Sequence, residues 1–150
     1  MCYMLYAGAD YELPVEEAPD WAAVGFNCAD WPVLAPRLLV LALSPDEESV
    51  RTHLHERCVV RVGSYEGCGC GFNLLSNEVP VSVNSIEGTV CRESRQALAE
   101  YVARNPVQNL YGCWAGDEEL PSEGERMITT AQLADATFSL PERVKLRIAI

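Results

Sequence analysis

Two thiols one residue apart, Cys68 and Cys70, lie among four glycines in Val62-Gly63-Ser64-Tyr65-Glu66-Gly67-Cys68-Gly69-Cys70-Gly71-Phe72. Glycine reaches positive φ and lets other groups approach the backbone closely. Such a loop can aim both sulfurs at one small target. Thiolates suit soft or borderline ions: Zn²⁺, Cu⁺ or an iron–sulfur cluster. Two sulfurs are too few for a closed tetrahedral site. Cys2 and Cys113 are the best extra ligands, because both fall on predicted strands that can neighbour the loop. His53 and His55 are further options. The C-x-C spacing differs from the repeated C-x₂-C of zinc ribbons. The plain alternative is a tight glycine turn whose cysteines fill small pockets.

Other chemistry is less well supported. A reactive cysteine needs its pKa lowered by His, Lys, Arg or a helix N-terminus. The only histidines, His53 and His55, fall on a predicted helix at its far end from the loop, which disfavours a Cys–His pair. A redox pair of Cys68 and Cys70 is strained, and C-x-x-C at a helix start is absent. Gly67-x-Gly69-x-Gly71 misses the G-x-G-x-x-G spacing of a dinucleotide cradle, and no P-loop lysine follows. Residues 116–125 hold Asp117, Glu118, Glu119, Glu123 and Glu125. They do not match an EF-hand and read as a solvated loop. Asp46-Glu47-Glu48 suits the start of a helix. Trp21, Trp31 and Trp114 serve equally as anchors or pocket walls.

The elements that must position these residues follow from the hydrophobic pattern. Residues 2–7 read as a first strand. Residues 14–36, with four prolines and two tryptophans, read as an irregular segment able to cover the site as a lid, with a short strand over Val24 to Phe26. Leu38 to Leu43 has no polar face, as in a strand covered on both sides. Ser44, Pro45 and Glu47 then mark a capping box and a helix to about Glu56. Cys58 to Val62 is the next strand. That order predicts a right-handed parallel crossover and places the Gly/Cys loop at the carboxyl end of a parallel strand, where ligands bind in open α/β sheets. Val79 to Val83 reads as an edge strand, since Pro80 argues against a central one. A helix follows over 92–104, stopped by Asn105-Pro106, then a strand over Leu110 to Trp114. Thr130 caps a short helix over 131–137. In the tail, Val144, Leu146, Ile148 and Ile150 alternate with Lys145 and Arg147, as in a half-exposed strand. The pattern predicts one α/β domain over 1–150: a mixed β-sheet with a βαβ crossover and about three helices.

Composition bounds the function. The chain has 150 residues, enough for one domain with a core. Its net charge of −11 repels phosphate backbones and anionic membranes. No nucleic acid and no membrane partner is therefore expected, while a metal ion or protein partner is allowed. The start of the chain lacks a basic n-region, and no run approaches the length of a membrane span. A cytoplasmic location is expected, where the 7 cysteines stay reduced.

Three stretches resemble a small family of uncharacterised bacterial proteins of unknown function. They are Met1-Cys2-Tyr3-Met4-Leu5-Tyr6-Ala7, the Val62–Phe72 run, and Leu110-Tyr111-Gly112-Cys113-Trp114-Ala115-Gly116-Asp117-Glu118. The resemblance spans most of the chain and implies no fold, substrate or catalytic residue.

Three functions stay open at this point. The first is a small protein binding zinc or another soft metal through Cys68, Cys70, Cys2 and Cys113. The second is a structural or interaction module without chemistry. The third is a thiol-dependent enzyme. If the loop serves a site, the sulfur of Cys2 or Cys113 must lie close to that of Cys68 or Cys70, because ligands sharing one zinc ion stand roughly 4 Å apart.

Overall fold

The computed structural model describes residues 1–17, 35–76, 79–80 and 84–149. The expected strand near Val24, two of the three tryptophans (Trp21 and Trp31), most of the expected lid and Ile150 lie outside the described residues.

A mixed six-stranded sheet organises the chain. Its strands are β1 (Tyr3–Ala9), β2 (Leu39–Ala42), β3 (Cys58–Gly63), β6 (Asn109–Trp114), β7 (Gly124–Ile128) and β8 (Val144–Ile148), in the order β2-β3-β1-β6-β8-β7. A separate two-stranded ribbon joins β4 (Leu75–Ser76) to β5 (Val79–Pro80), the start of the expected edge strand, whose remainder lies outside the described residues. Among the described residues the sheet is joined by two α-helices, α1 (Ile86–Arg104) and α2 (Thr130–Ala134), and by 3-10 helices over Pro45–Thr52 and Gly69–Phe72. No helix among the described residues is long and apolar enough to cross a membrane.

β1 is central and buried along its whole length. Its side chains alternate between two apolar layers, as the period of a strand requires. Tyr3, Leu5, Ala7 and Ala9 join Leu98, Tyr101 and Val102 of α1 in the larger layer. Met4 and Tyr6 join Val50, Leu54, Val59, Tyr111 and Cys113 in the smaller one, beneath the 3-10 helix. Leu5 lies opposite Val62 of β3 on one side and Gly112 of β6 on the other, both antiparallel.

The βαβ crossover exists, but elsewhere than expected. β7 and β8 are parallel neighbours, with α2 between them in sequence. The expected crossover through 38–62 is instead an antiparallel connection: Leu39 pairs with Gly63 and Ala42 with Val60. The 3-10 helix ends at Thr52 and returns the chain from the same end of the sheet at which β2 finished. Among the described strands β2 is also the edge of this sheet, and its burial pattern is not that of a strand covered on both sides. Leu39 and Val40 are buried, Leu41 half-buried and Ala42 exposed. Its outer edge is met by one bridge from Glu16, whose amide and carbonyl both bond Val40 at 2.9 and 2.8 Å.

α1 begins two turns before the expected start. Ser85 caps it, accepting from the Gly88 amide at 3.0 Å. Gly88 and Thr89 are weak helix formers that hide this start in the sequence. The expected stop is found, with Asn105 as C-cap. β7 grows out of the end of the acidic loop, where no strand was expected.

Candidate metal centre

The antiparallel arrangement explains the site. β3 ends, β1 begins and β6 ends at the same edge of the sheet, since Leu5 pairs with Val62 and Tyr3 with Trp114. The Gly/Cys loop leaves β3 here, at the end of an antiparallel strand and not of the parallel one expected. Cys2 enters at the same place, its carbonyl accepting from the Ala115 amide at 2.8 Å.

The loop is folded by its small residues. The Ser64 amide and hydroxyl both donate to the Cys68 carbonyl at 2.7 Å, and the Gly67 amide donates to the Ser64 carbonyl at 2.9 Å. Gly67 takes φ +83°, which L side chains rarely adopt. A 3-10 turn then runs over Gly69–Phe72. A Cβ on Gly69 would sit 2.7 Å from the Tyr3 ring, and one on Gly71 2.4 Å from Ser64 Oγ and 2.6 Å from the Tyr65 ring.

These contacts bring three sulfurs together. The thiols of Cys2, Cys68 and Cys70 all lie within 4.8 Å of one another, a group that could hold a metal ion. Cys2 is exposed, and Cys68 and Cys70 are half-buried. The Tyr3 amide donates to Cys70 Sγ at 3.2 Å. A backbone dipole so placed offsets the charge that a metal-bound thiolate carries. Burial pushes the Cys68 thiol up to about 12, partly opposed by a backbone hydrogen bond from Cys70 and reinforced by the Cys70 and Cys2 sulfurs.

The other expected ligands lie elsewhere. Cys113 does not come within the same distance of all three sulfurs. It faces the smaller apolar layer opposite Met4 and is fully buried there. His53 stacks on Tyr111, ring centroids 4.3 Å apart, with Nε2 2.9 Å from the Glu118 carbonyl oxygen. His55 lines a separate surface cleft with Thr52, Ser122, Glu125 and Lys145.

No protein-family model matches the chain, and comparison with curated proteins and with solved structures returns no match. The chemistry therefore rests on the residues themselves.

The thiols of Cys68, Cys91 and Cys113 are all pushed up by burial. That is the opposite direction from an activated nucleophile. The six described cysteines are free.

Three charged residues are buried where the sequence pattern gives little sign of it. Arg95 of α1 is fully buried. Its guanidinium donates to the carbonyls of Phe72 at 3.1 Å, Gln132 at 2.9 Å and Phe138 at 2.6 Å, and to that of Leu133. It thereby ties the end of the cysteine turn to α1 and α2. Desolvation lowers its pKa to about 10. Glu118 is buried rather than solvated, accepting from Tyr6 Oη at 3.0 Å and from the Gly116 amide at 2.9 Å. Glu47 does more than favour a helix start: it is buried and takes hydrogen bonds from Arg61 and Ser44 Oγ, each at 2.8 Å. For Arg95, the one legible signal is its place on the apolar face of α1, three residues before Leu98.

Proposed function

We propose that the protein binds a thiophilic metal ion through Cys2, Cys68 and Cys70. The observation that carries this reading is the convergence of three sulfurs from two distant parts of the chain to within 4.8 Å. Sulfurs sharing an ion at about 2.3 Å stand roughly 4 Å apart, so little closure is needed. The glycine contacts and the Tyr3 amide favour the same reading, because they hold the turn in place before any ion arrives. Zinc and copper(I) are the ions such donors suit. A cytoplasmic location, which keeps thiols reduced, is consistent with it.

The test is elemental analysis of untagged protein purified without chelator, followed by titration of the reduced apoprotein with Zn²⁺ and with copper(I). About one equivalent of metal is expected. It should be lost in Cys68→Ser and Cys70→Ser and retained in Cys113→Ser. Sub-stoichiometric metal that is the same in all four proteins would refute the reading.

A further inference from the structure

Resting on the metal-site reading above, we infer that the ion held is copper(I) in a three-thiolate site, and that the exposed sulfur of Cys2 is the ligand through which it is exchanged. The donor set supplies the first argument. The converging atoms are three sulfurs, the softest donors among the side chains. Thiolates hold both copper(I) and zinc, but structural zinc takes four protein ligands, and three converge among the described residues.

The spacing supplies the second. Three sulfurs at about 2.3 Å from an ion in their own plane stand roughly 4 Å apart, and closer when a fourth ligand caps the ion. The sulfurs here lie within 4.8 Å of one another in a turn whose glycines are packed against Tyr3, Ser64 and Tyr65. Planar three-coordination is reached with less closure than a capped arrangement.

The third argument is the unequal placement of the donors. Cys68 packs against the smaller apolar layer and Cys70 against the larger one. Cys2 is exposed, and precedes β1 rather than lying within it. Two ligands are therefore fixed to the sheet on either face, and the third is open to an incoming thiol. In that exchange an incoming thiol loses its proton as its sulfur bonds copper, and the Cys2 thiolate leaves copper and takes up that proton. Copper stays in the +1 state throughout, and no electron moves.

The experiment is anaerobic. Zinc-loaded protein is titrated with copper(I) supplied as its acetonitrile complex. Affinity is then measured by competition with a chromophoric copper(I) chelator, and X-ray absorption counts the sulfurs. One equivalent of copper(I) should displace zinc and show three sulfur neighbours. Cys2→Ser, at an exposed position, should keep the native circular dichroism and bind copper(I) at least tenfold more weakly, with two sulfur neighbours. Release of copper to added glutathione should be faster in wild-type protein when Cys2 is alkylated, because the ligand that must leave is then already gone. Zinc that copper(I) does not displace would overturn the copper assignment and leave the metal site standing. Binding of neither ion would overturn both. Unchanged copper affinity in Cys2→Ser, or exchange unaffected by alkylation, would remove Cys2 from the role given to it here.

Discussion

The backbone amide of Tyr3 donates to the sulfur of Cys70 at 3.2 Å, joining the first residue of β1 to a turn 67 residues further along. The same tyrosine lies against Gly69 with its ring and donates from Oη to the Pro141 carbonyl at 2.8 Å. One side chain and its amide thus seat the cysteine turn on the sheet.

Tyr3→Phe keeps the ring and the amide and removes only the hydroxyl bond. It should cost about 1 kcal/mol and leave metal affinity unchanged. Tyr3→Ala opens a cavity beneath the turn and should cost roughly 3–5 kcal/mol and weaken metal binding as well. Urea unfolding and metal titration of both variants check this. Equal losses in the two would show that the ring does not support the turn.

The glycines should rank by the kind of constraint each meets. Gly67 has a positive φ but nothing within 4 Å of an added Cβ. Gly67→Ala should therefore cost only the left-handed penalty, about 1–2 kcal/mol. Gly71→Ala meets Ser64 and Tyr65, and Gly69→Ala meets the Tyr3 ring and carbonyl. Overpacking of this kind costs roughly 1–3 kcal/mol and moves the backbone that carries both sulfurs. Metal affinity should fall in these two and hold in Gly67→Ala, a difference readable by competitive titration.

Arg95→Met should be among the most damaging substitutions. It takes the guanidinium from four carbonyls, of which those of Leu133 and Phe72 are bonded in the buried interior and that of Gln132 keeps the Asp135 amide at 3.3 Å; each buried group left unmet costs about 1–3 kcal/mol before relaxation. Arg95→Lys restores the charge but not the planar fork, and should recover only part of the loss. Thermal unfolding checks the order wild type, Lys, Met. A methionine variant as stable as wild type would show that those carbonyls find other donors.

Stability should fall on the alkaline side. The thiols of Cys91 and Cys113 keep their protons up to about 11 and 12, in each case because burial disfavours the thiolate. In the unfolded chain they ionise near 8.5. Above that pH the unfolded state binds fewer protons than the folded one, so the stabilisation present below about 8.5 is lost progressively towards 11–12. The buried hydroxyls of Tyr101 and Tyr111, both raised to about 12, extend the trend at the upper end. Urea midpoints at pH 7, 9 and 10 should decline, and less steeply in Cys113→Ser. A flat profile in the wild type would contradict this account.

The sequence was informative where a pattern is local. β1, β3, β6, β8, the body of α1 and its stop at Asn105 all follow from alternation or breakers, whereas the Ser85 start of α1 was hidden by Gly88 and Thr89. Strand direction was not local. The run from Leu38 to Val62 reads as strand–helix–strand, but the direction in which β3 returns depends on where the 3-10 helix ends. The cysteine group was half legible. Cys68 and Cys70 announce themselves by spacing, and Cys2 follows once β1 is paired with β3. Cys113 looked equivalent to Cys2 in the sequence. Its register opposite Met4 turns it into the smaller core layer, and a register cannot be read from composition. Arg95 could not be singled out and Glu118 was read as solvated for a related reason: charged residues read as exposed until their buried partners are known.

The central place of β1 has a kinetic consequence. Leu5 must find Val62 on one side and Gly112 on the other, and pairings between such distant segments form slowly. Until β1 is seated, a chain has the Cys68–Cys70 pair but no third sulfur beside it. A reagent that bridges three neighbouring thiols would therefore report the moment of seating, and its time course during refolding should follow the slow phase of sheet assembly rather than the rapid formation of α1.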